Sequence, residues 1–132
     1  MKTALAVMAG GALGSILRYA ASLAIAERWG GTFPWGTLAV NVVGSFGIGL
    51  FAGITAADGL LLVPPTARVF VMVGIFGGFT TFSSFSLQTL NLVQNGELLA
   101  AGGNIIFSVF LCLVAVWLGN IAAMALNSLT LR

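Results

Sequence analysis

Only eight of the 132 residues carry a formal charge, and where they fall decides what this chain can become. They are Lys2, Arg18, Glu27, Arg28, Asp58, Arg68, Glu97 and Arg132. Between them, 29–57, 69–96 and 98–131 are uncharged, and 3–26 is broken only by Arg18. A helix needs about 20 apolar residues to cross about 30 Å of hydrocarbon. Each stretch is long enough, so four transmembrane spans are predicted, over about 4–26, 35–56, 67–94 and 99–126. Composition agrees, because 6% charged residues fall far short of the roughly 25% with which a soluble domain covers itself. The expectation is an all-α membrane protein, one integral domain over 1–132, with loops too short for a soluble module.

Other classes fall away on composition. Lys2, the apolar run 4–17 and Ala24-Ile25-Ala26 imitate a secretory signal, but Arg18 sits where such a signal is uncharged. Cys112 is the single cysteine and lies mid-span, so it reads as a small buried apolar residue. There is no histidine, hence no imidazole metal site or proton shuttle. A net charge of +2, scattered along the chain, gives no footprint for nucleic acid.

Thr32 and Pro34 mark the start of span two, and Pro64-Pro65 forces the turn before span three. Asn95-Gly96 is a good helix-ending pair. Within span three, Gly74-Ile75-Phe76-Gly77-Gly78-Phe79-Thr80-Thr81 sets glycines beside two β-branched threonines, all poor helix propagators. A break at mid-membrane is the expectation, tolerable only where protein or a lined cavity satisfies the backbone. Close helix packing through Gly74 and Gly78 is the competing explanation. Lys2, Arg68 and Arg132 fall on one side of the membrane, against Arg28 on the other, toward which Arg18 can snorkel. So small a bias suits a chain that inserts in both orientations, and equally a weakly fixed single topology.

Polar residues inside spans face a partner or a pore. Thr81, Ser84, Gln88, Asn91 and Asn95 share one helix face by spacing, as do Asn104, Ser108 and Cys112, and Asn41 with Ser45. Three such stripes suggest a lined pathway, with interhelical hydrogen bonding as the plainer alternative. They hold amides and hydroxyls but no carboxylate, which favours passive conduction over proton coupling. Ordinary hydrolytic and metal-ligand clusters are missing too. Phe82 and Phe85, at i and i+3, are apolar packing by default, yet their positive ring edges suit a small anion.

Gly77-Gly78-Phe79-Thr80-Thr81-Phe82-Ser83-Ser84-Phe85-Ser86 closely resembles the signature of the Fluc (CrcB) fluoride channels. Gly14-Ser15-Ile16-Leu17-Arg18 and Gly36-Thr37-Leu38-Ala39-Val40-Asn41 agree with that family in order and position. The resemblance implies an antiparallel, dual-topology homodimer with two fluoride pores in a bacterial inner or plasma membrane. It implies a structural sodium ion at the dimer centre, held by the backbone carbonyls of Gly77 and Thr80 from both subunits. Phe82 and Phe85 would turn ring edges to fluoride, and Asn41 would donate its amide hydrogens. Ser83, Ser84 and Ser108 would line a polar track, with Arg18 near the aqueous vestibule. The chain departs from the family pattern at Gln88, where glutamate is common, and at Cys112 and Val116, where serine and threonine are common. Asn104 is a further departure.

The function implied is passive, fluoride-selective export that lowers the toxicity of the ion. Two alternatives stand beside it. One is a non-conducting partner subunit of a heterodimeric fluoride channel. The other is a proton-coupled small multidrug exporter, which requires a carboxylate in span one, where residues 4–26 have none.

Overall fold

The computed structural model describes residues 1–130, so Arg132, counted above in the charge asymmetry, lies outside the described residues. Helices α1 (Lys2–Trp29), α2 (Trp35–Ile54), α3 (Pro65–Val69), α4 (Gly77–Phe79), α5 (Phe82–Gln94) and α6 (Leu98–Thr130) make up the fold. A π-helical stretch, Phe70–Phe76, joins α3 to α4. No strand occurs among the described residues. Four segments are long and apolar enough to cross a membrane: Lys2–Trp29, Trp35–Ile54, Pro65–Gln94 and Leu98–Leu129. The chain is a multi-pass membrane protein.

The first helix runs past its uncharged stretch at both ends, taking in Lys2, Glu27 and Arg28. Intrahelical hydrogen bonds persist beyond hydrocarbon, so charge marks the membrane edge more sharply than the helix end. Pro65 sits at the first turn of α3, where its missing N–H costs nothing. Asn95 closes α5, and Gly96 takes the left-handed φ of +80°. Gly96 N–H then donates to Val93 O at 3.0 Å and Glu97 N–H to Leu92 O at 2.8 Å, a Schellman closure that leads directly into α6.

Two seams hold the bundle, and both are built on missing side chains. A Cβ on Gly10 would strike the Phe70 carbonyl, and one on Gly14 the Ile75 carbonyl. A Cβ on Gly78 would lie 2.7 Å from Gly11 O. The backbone of α1 therefore rests directly on the π-helical stretch and α4. Across the other seam, Gly49 of α2 meets the Val116 carbonyl and Gly119 of α6 meets the Phe46 carbonyl. Without water to drive apolar side chains together, small residues let helices associate through close van der Waals contact. Large apolar side chains point outward instead, among them Leu13, Ile16, Phe110, Leu113 and Trp117. That surface suits lipid.

The end of the bundle near the 55–64 loop is tied by three contacts. Asn127 accepts from Leu60 N–H at 3.0 Å and donates to Gly53 O at 3.2 Å, while Arg68 donates to Thr55 O at 3.2 Å.

Candidate functional site

Helical backbone stops at Phe79 and resumes at Phe82. Thr80 (φ −85°, ψ 158°) and Thr81 (φ −153°, ψ 112°) are extended between them. In a continuous helix the Thr81 N–H would bond Gly77 O. Here it donates to Asn41 Oδ1 at 2.7 Å, and Asn41 Nδ2 donates to Thr81 O at 3.1 Å. One side-chain amide from α2 thus meets both polar groups of a buried residue, which is what unpaired backbone at that position requires. The Thr80 N–H still reaches Phe76 O at 3.0 Å, and its hydroxyl donates to the same carbonyl at 2.9 Å. Gly44, one turn after Asn41, admits the extended pair, because a Cβ there would strike the Thr80 methyl.

Restarting α5 falls to Thr81. Its Oγ1 accepts from the Ser84 N–H at 3.2 Å, as an N-cap does, and donates to Ser84 Oγ at 3.0 Å. Ser83 Oγ lies 3.3 Å from the same hydroxyl. The three hydroxyls form a cluster at the head of α5. Phe82 and Phe85 follow with ring centroids 5.1 Å apart and planes tilted by 50°. Their surroundings differ sharply: on the single chain Phe82 is 75% exposed and Phe85 only 7%.

Beside the extended pair lies a groove of 320 Å³, open at the side of the bundle. Asn41, Ser45, Gly77, Thr80, Phe82 and Cys112 are among its lining residues. Four of the residues singled out in the sequence, Asn41, Phe82, Gly77 and Thr80, therefore meet in one place. No ionisable carboxylate or amine lines it, so donors and ring edges set its chemistry. Asn41 has one N–H left for a ligand once Thr81 is bonded.

Ser108 and Asn104 lie elsewhere, in the α5–α6 contact. Asn104, 1% exposed, donates to Thr89 Oγ1 at 2.8 Å, and Thr89 donates to Phe85 O at 2.8 Å. Ser108 Oγ donates to Asn104 Oδ1 at 3.3 Å. Asn104 is thus an interhelical fastener. Val116 lies against Gly49 in the α2–α6 seam.

Gln88, Asn91 and Asn95, the far part of the span-three stripe, border a wider cavity of 470 Å³ together with Thr37, Trp29 and Trp35. Gln88 Oε1 is buried there without a hydrogen-bond partner. Arg18 is not among the residues lining that cavity. Its guanidinium is half-buried and lies 3.4 Å from Thr80 O, a long contact that places a positive charge against the extended pair. Spacing could not reveal this, because the two residues are 62 positions apart.

Among the described residues no group of three histidine, cysteine, aspartate or glutamate side chains forms a metal site. Backbone carbonyls are the hard oxygen ligands on offer. Gly77 O has lost its helical donor to Asn41, and its surroundings on the single chain are open. Thr80 O keeps a second lone pair beside its long contact to Arg18.

A family model described as CrcB-like protein, Camphor Resistance (CrcB), matches residues 5–120. The chain is 62% identical over 129 residues to the fluoride-specific ion channel FluC of Opitutus terrae, covering 98% of each. It is 59% identical to the protein of that name in Paramagnetospirillum magneticum, covering 96% of this chain and 99% of the other. Against its counterpart in Methylocella silvestris the figure is 55%, over 93% and 94%. Signature, spans and near full-length identity converge: the chain belongs to the CrcB-like family.

Proposed function

We propose that this protein is a fluoride-selective channel that lets the ion leave the cytoplasm passively. The carrying observation is the meeting of Asn41 and Phe82 at the extended Thr80–Thr81 pair, in a groove without ionisable carboxylates or amines. Relatives bearing the name fluoride-specific ion channel FluC support the choice of ion. A narrow passage with fixed donors replaces the hydration shell of a small halide better than that of a larger one. Phe82 and Phe85 offer ring edges, and the free N–H of Asn41 offers a donor. Ser83 and Ser84 supply hydroxyls at the head of α5, Ser108 adds one farther along α6 where it is bonded to Asn104, and Arg18 raises the local potential for an anion. Glu27 falls at the end of span one and no carboxylate lies in the interior of any span, so the gradient of the ion itself drives movement.

The working unit in this reading is an antiparallel, dual-topology homodimer, with span three broken at mid-membrane. Two features support it. The groove is open on one side, and Phe82 and Gly77 present unpartnered surface there. A second copy in inverted orientation covers that face and closes the route. The carbonyls of Gly77 and Thr80 would hold a sodium ion between the two copies, which the open Gly77 oxygen suits. When bound, it supplies positive charge that binds the two breaks together.

Purified protein alone in liposomes tests the proposal, with fluoride efflux followed by an ion-selective electrode and chloride as control. Fluoride efflux without chloride efflux is expected. Well-folded dimers that pass no fluoride would overturn the homodimeric channel and favour a non-conducting partner subunit. Fluoride movement that required an imposed proton gradient would point to a coupled exporter.

A further inference from the structure

We infer that Asn41 is a wedge that keeps span three extended at Thr80–Thr81, and so positions the groove in addition to lining it. The argument rests on where two hydrogen bonds go. Thr81 is buried, so its N–H and C=O need partners, and the helical partner of the N–H is Gly77 O, four residues back. Asn41 Oδ1 takes that N–H at 2.7 Å, shorter than the 3.0 Å Thr80–Phe76 backbone bond before it. Asn41 Nδ2 then occupies a lone pair of Thr81 O. A side chain inserted into the helical ladder is a recognised cause of a sharp break. The acceptor and donor of one primary amide match the N–H and C=O of one extended residue. Only asparagine and its acid analogue present that pair at this reach.

Removing the wedge takes away the acceptor that Thr81 N–H uses, and the acceptor a helix offers it is the Gly77 carbonyl. Thr80 and Thr81 would then turn helical. An extended residue rises about 3.3 Å and a helical one 1.5 Å, so closing both draws α5 toward α4 by about 4 Å. It also turns Phe82 and Phe85 about the span axis and consumes the Gly77 carbonyl. The functional half of this inference rests on the channel reading; the conformational half rests on the hydrogen bonds alone.

The test is the backbone conformation of residues 80 and 81, read from ¹³Cα and ¹³Cβ chemical shifts of the full-length protein in bilayers. In wild type both threonines are expected at extended values. In Asn41→Leu, both move to helical values and fluoride flux falls at least tenfold. Asn41→Asp keeps extended values, because a carboxyl protonated at this depth presents the same acceptor and donor. Should Asn41→Leu fail to fold, Asn41→Ser, which cannot span both Thr81 groups, gives the same readout. Extended values in Asn41→Leu or Asn41→Ser together with lost flux would overturn the wedge and leave Asn41 as a fluoride donor only. A helical shift in Asn41→Asp would overturn it as well. Absence of flux in wild type removes the channel reading, while the chemical shifts still decide the wedge.

Discussion

The two halves of span three are held in opposite ways. Before Thr80, the chain lies against α1 with almost no side chain between them: Gly10, Gly14, Gly74 and Gly78 bring backbone onto backbone. After Thr81, α5 is fastened to α6 by a polar relay, Asn104 to Thr89 to Phe85 O, and leaves Phe82 largely uncovered. The α1 side of the first half has no room for anything but itself, while Met72, Phe76 and Gly77 border the groove on the other side. The second has two cavities along it and carries the aromatic and hydroxyl groups. The contrast assigns anchoring to the glycine seam and chemistry to the half that leaves space. The boundary is the residue pair that Asn41 and Arg18 hold from two other helices.

Phe82→Ile is the strongest way to probe that division. The ring is exposed on the single chain and lines the groove, so its loss should reduce fluoride flux about a hundredfold, equivalent to roughly 2.7 kcal/mol of barrier. The elution position on size-exclusion chromatography should not change; undiminished flux would mean the ring only packs. Gly14→Ala addresses the other half. Its methyl would strike the Ile75 carbonyl, and overpacking of this kind costs about 1–3 kcal/mol, read as a lower thermal midpoint. An unaltered midpoint would show that the seam has slack. The smallest effect belongs to Asn104→Ala, which removes one interhelical hydrogen bond worth about 1 kcal/mol. Flux per folded protein should stay within about twofold, since 1.4 kcal/mol is a full factor of ten. A larger fall would move Asn104 from fastener to pathway.

How far the sequence could be read depended on whether the signal was local. Charge gaps located all four spans, and Asn95-Gly96 announced the closure between α5 and α6, because both depend on neighbours in the chain. Motif resemblance put Asn41 with Phe82 at one ion and Gly77 with Thr80 at another; that all four border one groove comes from the fold, since spacing alone sets Asn41 and Thr81 40 positions apart. The stripe containing Asn104 and Ser108 had two meanings, pathway or glue. Only the position of Thr89, one turn beyond Phe85, reveals the hydrogen-bond relay between helices. Arg18 carried no local cue to its carbonyl partner. The π-helical register of Phe70–Phe76 likewise had no compositional mark, since Phe-Val-Met-Val-Gly-Ile-Phe reads as ordinary apolar helix.

Asn127 has a practical bearing on how this protein is handled. Its side chain stitches the tail of α6 to Gly53 and to the amide of Leu60. Orientation in membranes is commonly mapped by splicing reporters onto the tail of a protein, often after trimming it. A cut ahead of residue 127 would unfasten the 55–64 loop at the same end of the bundle and perturb the very insertion being measured. Reporters joined downstream of that stitch leave it intact.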